Sequence, residues 1–505
     1  MNVSAMTRLL QSRGAAVLLP PLLGLACTLG FAPFDYWPLL MLAITGLLAL
    51  WSVATPMGAF WQGMGFGMAH FCSGLYWIYI STHIHGGAPG WLSVCLIAGL
   101  AFILSLFIAS AGLVSSWLLR GQRAVFLLLG LPCAWLAAEL MRSWVGTGFP
   151  WFALGYAFID TPLRLWAPVV GVYGMSAVVV CAAGALLLLI RGGRVERLLA
   201  LGTLVLISLA LNLTPPLAHW TSPKEETLSV ALVQGNVPMD MKWRPEIKQP
   251  TLDHYVNLTA QAWDSRLIIW PEVAIPELYH RVADDYLAAI DQHARTAGKT
   301  LLVGVMEQQN PTAPLYNMVV ALGADQGRYY KRHLVPFGEY FPVPEFMMDF
   351  INVYGLDYSD FAHGPKVQDP IVVGGEQIGL SICFEDVFGR EIAEPLPQAS
   401  LLVNMTNDAW FNDSTAPPQH LQIARMRTLE TGRQLIRVAN TGITTLIDYD
   451  GALLQRSPQF EVDILQVEAQ PREGLTPFAR WKDWPLVFIA VLGMLAAAIA
   501  GRLQR

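Results

Sequence analysis

The sequence predicts two architectures in one chain: a membrane α-helical bundle of eight transmembrane helices, and an α/β layered sandwich placed between the seventh and the eighth. Three observations predict this. The 505 residues are 54% hydrophobic and only 14% charged, whereas about a quarter is usual for a soluble chain. The net charge of −6 is unevenly spread, because residues 1–217 hold just four acids (Asp35, Glu139, Asp160 and Glu196) and nine arginines. Finally, residues 218–483 are polar and alternate strand and helix patterns, over a length sufficient for a separate hydrophobic core.

The apolar segments fall at 14–33, 37–54, 58–80, 90–118, 124–142, 165–190, 196–213 and 484–501. Each is of the length that crosses a hydrocarbon layer of about 30 Å. The domains expected are therefore 1–217 (seven helices), 218–483 (the polar domain) and 484–505 (the last helix). The first segment is too long for a cleaved signal peptide and further spans follow it, so it reads as retained. Arg8, Arg13, Arg120, Arg123, Arg191, Arg194, Arg197, Arg502 and Arg505 fall on one side, and only Arg142 and Arg164 in short loops opposite. Lys/Arg excess marks the cytoplasm, so both termini are expected inside and the polar domain outside, on the periplasmic face of a bacterial inner membrane.

Within the spans, Gly63-x-x-x-Gly67 permits close helix packing. His70 and Glu139 are ionisable groups in or near spans, which invites a functional role; Arg142, three residues after Glu139, favours a structural pair instead. The loop 143–157 is rich in aromatics and reads either as an interfacial belt or as a lipid-holding surface. His83 and His85 form an H-x-H pair that lacks a third ligand. Without C-x-x-C or H-E-x-x-H, no metal site is expected. No basic patch interleaves with aromatics, so nucleic acid is not an expected partner.

In the polar domain the patterns read as strands at 228–234, 266–270, 300–306, 317–322, 378–382, 401–405, 435–439 and 444–449, with helices at 249–263, 286–297 and 420–431. Residues 335–369 carry little regular pattern but many aromatics, among them Phe337, Tyr340, Phe341, Phe346, Phe350, Tyr354, Tyr358 and Phe361. A loop that long is usually functional or disordered, and this one reads as a lid whose apolar residues touch bilayer or lipid tails.

Three residues end expected elements: Glu272, Lys331 and Cys383. Pro271 cannot continue a strand ladder, so Glu272 is presented at a strand tip. Cys383 closes the run Gln377-Ile-Gly-Leu-Ser-Ile-Cys and is the one cysteine outside the apolar segments. A thiol needs a base or a positive potential to become a thiolate. Glu272 supplies the base, and Lys331 supplies a cation for a tetrahedral oxyanion, with a backbone N–H near Cys383 as second donor. Each residue alone has a plain reading as buried filler, helix start or surface charge. Ser381, the rival nucleophile, lacks the flanking glycine of a hydrolase elbow.

Trp270-Pro-Glu, Lys331-Arg-His-Leu-Val-Pro-Phe-Gly-Glu and Cys383-Phe-Glu together resemble the nitrilase superfamily, whose Glu-Lys-Cys triad matches Glu272, Lys331 and Cys383. Asn404-Met-Thr-Asn-Asp-Ala-Trp-Phe, Gln234-Gly-Asn-Val-Pro and the flanking spans narrow the resemblance to the bacterial apolipoprotein N-acyltransferases. The resemblance implies an αββα nitrilase-like domain on eight transmembrane helices, and no cofactor. It implies transfer of the sn-1 acyl chain of a phospholipid, chiefly phosphatidylethanolamine, through a Cys383 thioester to the α-amine of a lipoprotein's diacylglyceryl-cysteine. It further implies that Glu339 and Glu385 are supporting carboxylates and Trp243 a substrate-loop residue. Two departures stand out: Phe384 occupies a position that is often Tyr, and Asn412 one that is commonly Gly. Two other readings stay open, a membrane-tethered amidase or nitrilase with a small soluble substrate, and a transporter or lipid-binding module with a degenerate domain.

Overall fold

The computed structural model describes residues 10, 12–118, 123–340 and 360–503. It divides into two compact units. One comprises residues 1–79, 91–216 and 481–505, and the other residues 80–90 and 217–480.

The first unit is helical, with α1 (Arg13–Thr28), α2 (Trp37–Trp51), α3 (Pro56–Gly74), α4 (Gly90–Leu118), α5 (Leu131–Trp144), α6 (Ala167–Arg191) and α7 (Arg194–Leu213), completed after the second unit by a helix over Trp484–Leu503. Starts follow local chemistry. Thr55 accepts a hydrogen bond from the Gly58 N–H at 3.1 Å while Pro56 opens α3, a cap followed by a proline that needs no donor. Among the described residues, four stretches, Gly90–Trp117, Arg123–Trp144, Pro162–Arg191 and Arg194–Leu213, are long and apolar enough to cross a membrane; Arg13–Thr28, Trp37–Trp51 and Trp484–Ala500 are apolar but shorter. The glycine spacing in α3 works as expected. A Cβ on Gly63 would lie 2.7 Å from Ala109 Cα, and one on Gly67 2.6 Å from Ser105 Oγ, so these glycines let α3 and α4 touch backbone to backbone.

The expected Glu139–Arg142 pair acts through charge at a distance and not through a direct contact. Glu139 Oε1 accepts from Trp135 Nε1 at 2.9 Å and from the Leu154 N–H at 3.0 Å. Arg142 donates to the carbonyls of Phe149, at 3.1 Å, and Trp151. Both buried side chains pin the 149–154 loop, because buried loop N–H and C=O groups need partners, while still acting on each other through charge.

The second unit contains β1 (Thr221–Pro223), β2 (Leu228–Gln234), α8 (Met239–Lys242), α9 (Pro245–Thr259), β3 (Leu267–Ile269), α10 (Ala288–Ala297), β4 (Thr300–Glu307), β5 (Tyr316–Gly323), β6 (Gly327–Tyr330), β7 (Ile371–Val373), β8 (Glu376–Ile382), α11 (Gly389–Ile392), β9 (Leu401–Thr406), α12 (Ala416–Thr431), β10 (Leu435–Ala439), β11 (Thr445–Ile447), β12 (Leu453–Arg456), β13 (Asp463–Ala469) and β14 (Arg472–Gly474). Two six-stranded sheets form, ordered β13-β2-β3-β4-β5-β6 and β12-β11-β10-β9-β8-β7. In each, three central strands run parallel (β2, β3 and β4; β8, β9 and β10) with antiparallel strands outside them.

The core between the sheets is predominantly apolar, with Val230, Leu232 and Ile269 of one sheet meeting Leu380, Val403 and Ile436 of the other. On the outer face of the first sheet, Tyr255 and Leu258 of α9 and Ile290 and Ala294 of α10 pack against Ile268, Leu301 and Val303. On the outer face of the second, Leu421 and Ala424 of α12 cover Leu402 and Leu435. The result is helix, sheet, sheet, helix. Parallel strands need cover on both faces, which is why β3 and the centre of β2, Val230 to Val233, read as unbroken apolar runs. Of the expected lid, residues 341–359, including Phe341, Phe346, Phe350, Tyr354 and Tyr358, lie outside the described residues.

Candidate active site

Two parallel strands, β3 and β8, end in the loops that carry Glu272 and Cys383, as expected where ligands bind beyond the carboxyl ends of such strands, while Lys331 follows the antiparallel edge strand β6. β3 ends and Trp270-Pro-Glu272 follows; β6 runs into Lys331; β8 runs into Cys383, which opens a 3₁₀ turn over Cys383–Val387.

Glu272 is buried and its Oε1 takes two donors, Asn317 Nδ2 at 2.8 Å and Lys331 Nζ at 3.2 Å. Lys331, 1% exposed, also donates to Glu339 Oε1 at 2.6 Å, and Glu339 Oε2 takes the Val335 N–H at 2.8 Å. Burial alone would discharge Lys331, but Glu272 and then Glu339 hold its pKa well above the ordinary 10.5, so a fixed cation stands in the site. Cys383 feels the charges of Glu272, Lys331 and Asp408. Burial, reinforced by Glu272, pushes its thiol pKa far above the ordinary range, against the opposing pull of Lys331. The resting nucleophile is therefore a thiol that must give its proton to a base.

Cys383 has φ of +52°, a left-handed conformation that costs a non-glycine residue about 1 kcal/mol or more. Neighbours hold it there. Asn404 Nδ2 donates to the Cys383 carbonyl at 3.1 Å and to Ser381 Oγ at 3.0 Å. Ser381 is thereby committed to packing, its hydroxyl also donating to the Val403 carbonyl at 3.3 Å. Glu385 does not join the triad. Its Oε2 accepts from the Ile382 N–H at 2.6 Å and the Tyr329 hydroxyl at 2.9 Å, and its Oε1 from the N–H groups of Arg332 at 2.8 Å and His333 at 3.1 Å. It ties the cysteine turn to the lysine loop. Trp243, just after α8, is 48% exposed, with Lys242 Nζ 5.9 Å from its ring centre.

Several residues here have roles that gave no usable sequence signal. Asn317 and Asn404 sit inside strands. A buried group lies behind the cysteine turn: Asp386 Oδ1 meets His420 Nε2 at 2.8 Å, His420 Nδ1 meets Asp408 Oδ1 at 3.2 Å, and Arg437 donates to Asp386 Oδ2 at 3.1 Å, Asp408 Oδ2 at 3.0 Å and Asn404 Oδ1 at 2.9 Å. The H-x-H histidines serve separate contacts: His83 Nδ1 lies 2.6 Å from the Ala88 carbonyl and His85 Nε2 3.0 Å from Asn412 Oδ1.

Comparison with known proteins places this arrangement. Residues 23–185 match the model of the apolipoprotein N-acyltransferase N-terminal domain and residues 229–476 that of carbon-nitrogen hydrolase. The chain is 41% identical over 490 residues to the apolipoprotein N-acyltransferase of Methylococcus capsulatus, covering 96% of each. It is 40% identical over 490 residues to that of Nitrosomonas europaea, covering 95% of this chain and 97% of the relative. Among solved structures, the carbon-nitrogen hydrolase of Helicobacter pylori aligns with 52% of this chain and 94% of its own, at 16% identity and a TM-score of 0.36. With near-complete coverage at that identity, the chain belongs to the apolipoprotein N-acyltransferase family, membrane-type acyltransferases built on the nitrilase superfamily's carbon-nitrogen hydrolase domain.

Proposed function

We propose that the protein moves the sn-1 acyl chain of a phospholipid, chiefly phosphatidylethanolamine, to the α-amine of a lipoprotein's N-terminal diacylglyceryl-cysteine in two steps through Cys383. The observation that carries this reading is the chain of contacts Glu272–Lys331–Glu339, at 3.2 and 2.6 Å, whose charges act on a buried thiol. In the first step Glu272 takes the Cys383 proton as Sγ bonds to the ester carbonyl carbon. The C–O bond then breaks, and the lysophospholipid oxygen leaves with the proton held by Glu272. In the second step the acceptor amine attacks the thioester and passes a proton to Glu272; the C–S bond breaks, the amide forms, and the proton returns to sulfur. Lys331 compensates the oxyanion in both steps, and a fixed donor of this kind is worth roughly 10²–10³ in rate. Glu339 holds Lys331 in place, Glu385 joins the two loops, and Trp243 offers apolar surface to lipid.

Eight membrane spans, cytoplasmic termini and a periplasmic catalytic domain complete the proposal, supported by the apolar helices and by the arginine distribution. The test is intact-mass spectrometry of the purified protein incubated with phosphatidylethanolamine. One fatty acyl increment, lost with hydroxylamine and missing in Cys383→Ala, is the expected result. An increment that persists in Cys383→Ala would sink the mechanism.

A further inference from the structure

We propose that Lys242 is the phosphate-binding residue of the acyl-donor site, its ammonium pairing with the phosphodiester of the phospholipid whose ester carbonyl lies at Cys383. The proposal rests on the donor reading above. The short helix α8 follows β2, the strand beside β3, and Lys242 is near enough to Glu272 to feel its charge. The side chain is only 2% exposed. Its backbone N–H donates to the Pro238 carbonyl at 3.1 Å, yet among the described residues the ammonium has neither hydrogen bond nor ion pair. Nζ is also not among the fully enclosed polar atoms that lack partners, so the small exposed part of the residue includes its ammonium. A lysine that buries its stem and leaves its charge unmatched is set to meet an anion.

Electrostatics support the same reading. Burial brings the Lys242 pKa down to about 8, with Glu272 pulling the other way, so an arriving anion would restore charge that the unliganded site weakens. Lys331 is unsuited to the task, since two carboxylates already claim it. Trp243 adds the complementary half. Its ring is half-exposed and its centre lies 5.9 Å from Lys242 Nζ, giving a cation for the headgroup beside an apolar plate for glycerol and tail. Any phospholipid presenting its sn-1 ester to Cys383 brings its phosphate along, one glycerol away. A compact ammonium suits a phosphate as a point charge.

The test compares two donors on the full-length protein in detergent. Phosphatidylethanolamine carries the phosphate; p-nitrophenyl palmitate is an acyl ester without one. Lys242→Met keeps the buried stem and removes the charge. We expect it to lower kcat/KM for Cys383 acylation by phosphatidylethanolamine by about 10- to 100-fold, the range of one charge-assisted contact, chiefly through KM. The rate with p-nitrophenyl palmitate should stay within about twofold, and Lys242→Arg should recover most of the phospholipid rate. Equal losses with both donors would assign Lys242 to the chemistry or the fold and overturn the proposal, as would an unchanged phospholipid rate. If the unaltered protein forms no acyl-enzyme from phosphatidylethanolamine, the donor reading itself fails and this site falls with it.

Discussion

Cys383 pays for its position twice, in a left-handed backbone (φ +52°) and in a thiol raised by burial. Two outcomes follow at this scale. The thiolate fraction grows with pH well beyond neutrality, so iodoacetamide labelling of Cys383 should be slow at pH 7 and rise steadily to pH 10, read by peptide mass spectrometry. Glu272→Gln keeps an acceptor for Asn317 but removes the base; acylation should fall by roughly 10²–10⁴ with the melting temperature little changed. Legibility at this scale followed backbone punctuation. Pro271 announced Glu272, and the end of an apolar run announced Cys383. Lys242 was invisible because a lone lysine reads as a solvated charge, and nothing local says that its stem is buried. Asn404 was legible only as part of a resembling motif, and its hold on Cys383 was not, since that partner lies 21 positions away in sequence.

Among the elements, β4 shows how one strand fixes a catalytic side chain on the next. A Cβ on Gly304 would stand 2.3 Å from the Pro271 carbonyl oxygen and 2.9 Å from Glu272 Cα. Gly304→Ala must therefore push the Glu272 loop outward, and kcat should drop by at least about tenfold, because misplacements near 1 Å are that costly. The group behind the cysteine turn, contributed by β10, α12 and the loops after β8 and β9, is the other element-scale device. Arg437→Met leaves Asp386 and Asp408 buried with His420 as their shared partner and no guanidinium, and should cost about 3–5 kcal/mol in denaturant unfolding. Its pH signature has a definite sign. Burial would raise Asp408, but Arg437 and then His420 hold it below its ordinary 3.8. Its stabilisation is thus full above pH about 4 and lost as the pH falls. The difference in melting temperature between the unaltered protein and Asp408→Asn should be widest above that pH and close below it. Buried strands such as β2 and β10 were legible to the residue, whereas β12 was missed, its four residues all being exposed so that no apolar period marks them. Helix α12 starts four residues before the sequence pattern placed it, because the Ala-Pro-Pro entry reads as a breaker although proline is at home in a first turn.

Taken whole, the chain passes between its two units four times, after residues 79, 90, 216 and 480. Sequence patterns found the polar stretch but not that 80–90 joins its unit, since a contact between His85 and Asn412, 327 positions apart, leaves no periodic trace. Asn412 has φ of +46°, where glycine is favoured, and His85 is the partner that occupies its side chain. The sheet order carries a further consequence for biosynthesis. β2 is flanked on one side by β13, residue for residue from Leu228–Ala469 to Gln234–Asp463. At ordinary translation speeds the roughly 230 residues between them take on the order of 10–50 s to appear. Throughout that interval an apolar strand has one bare edge, the kind of surface on which chains aggregate. The nascent protein thus needs a shield on that side until its last strands emerge.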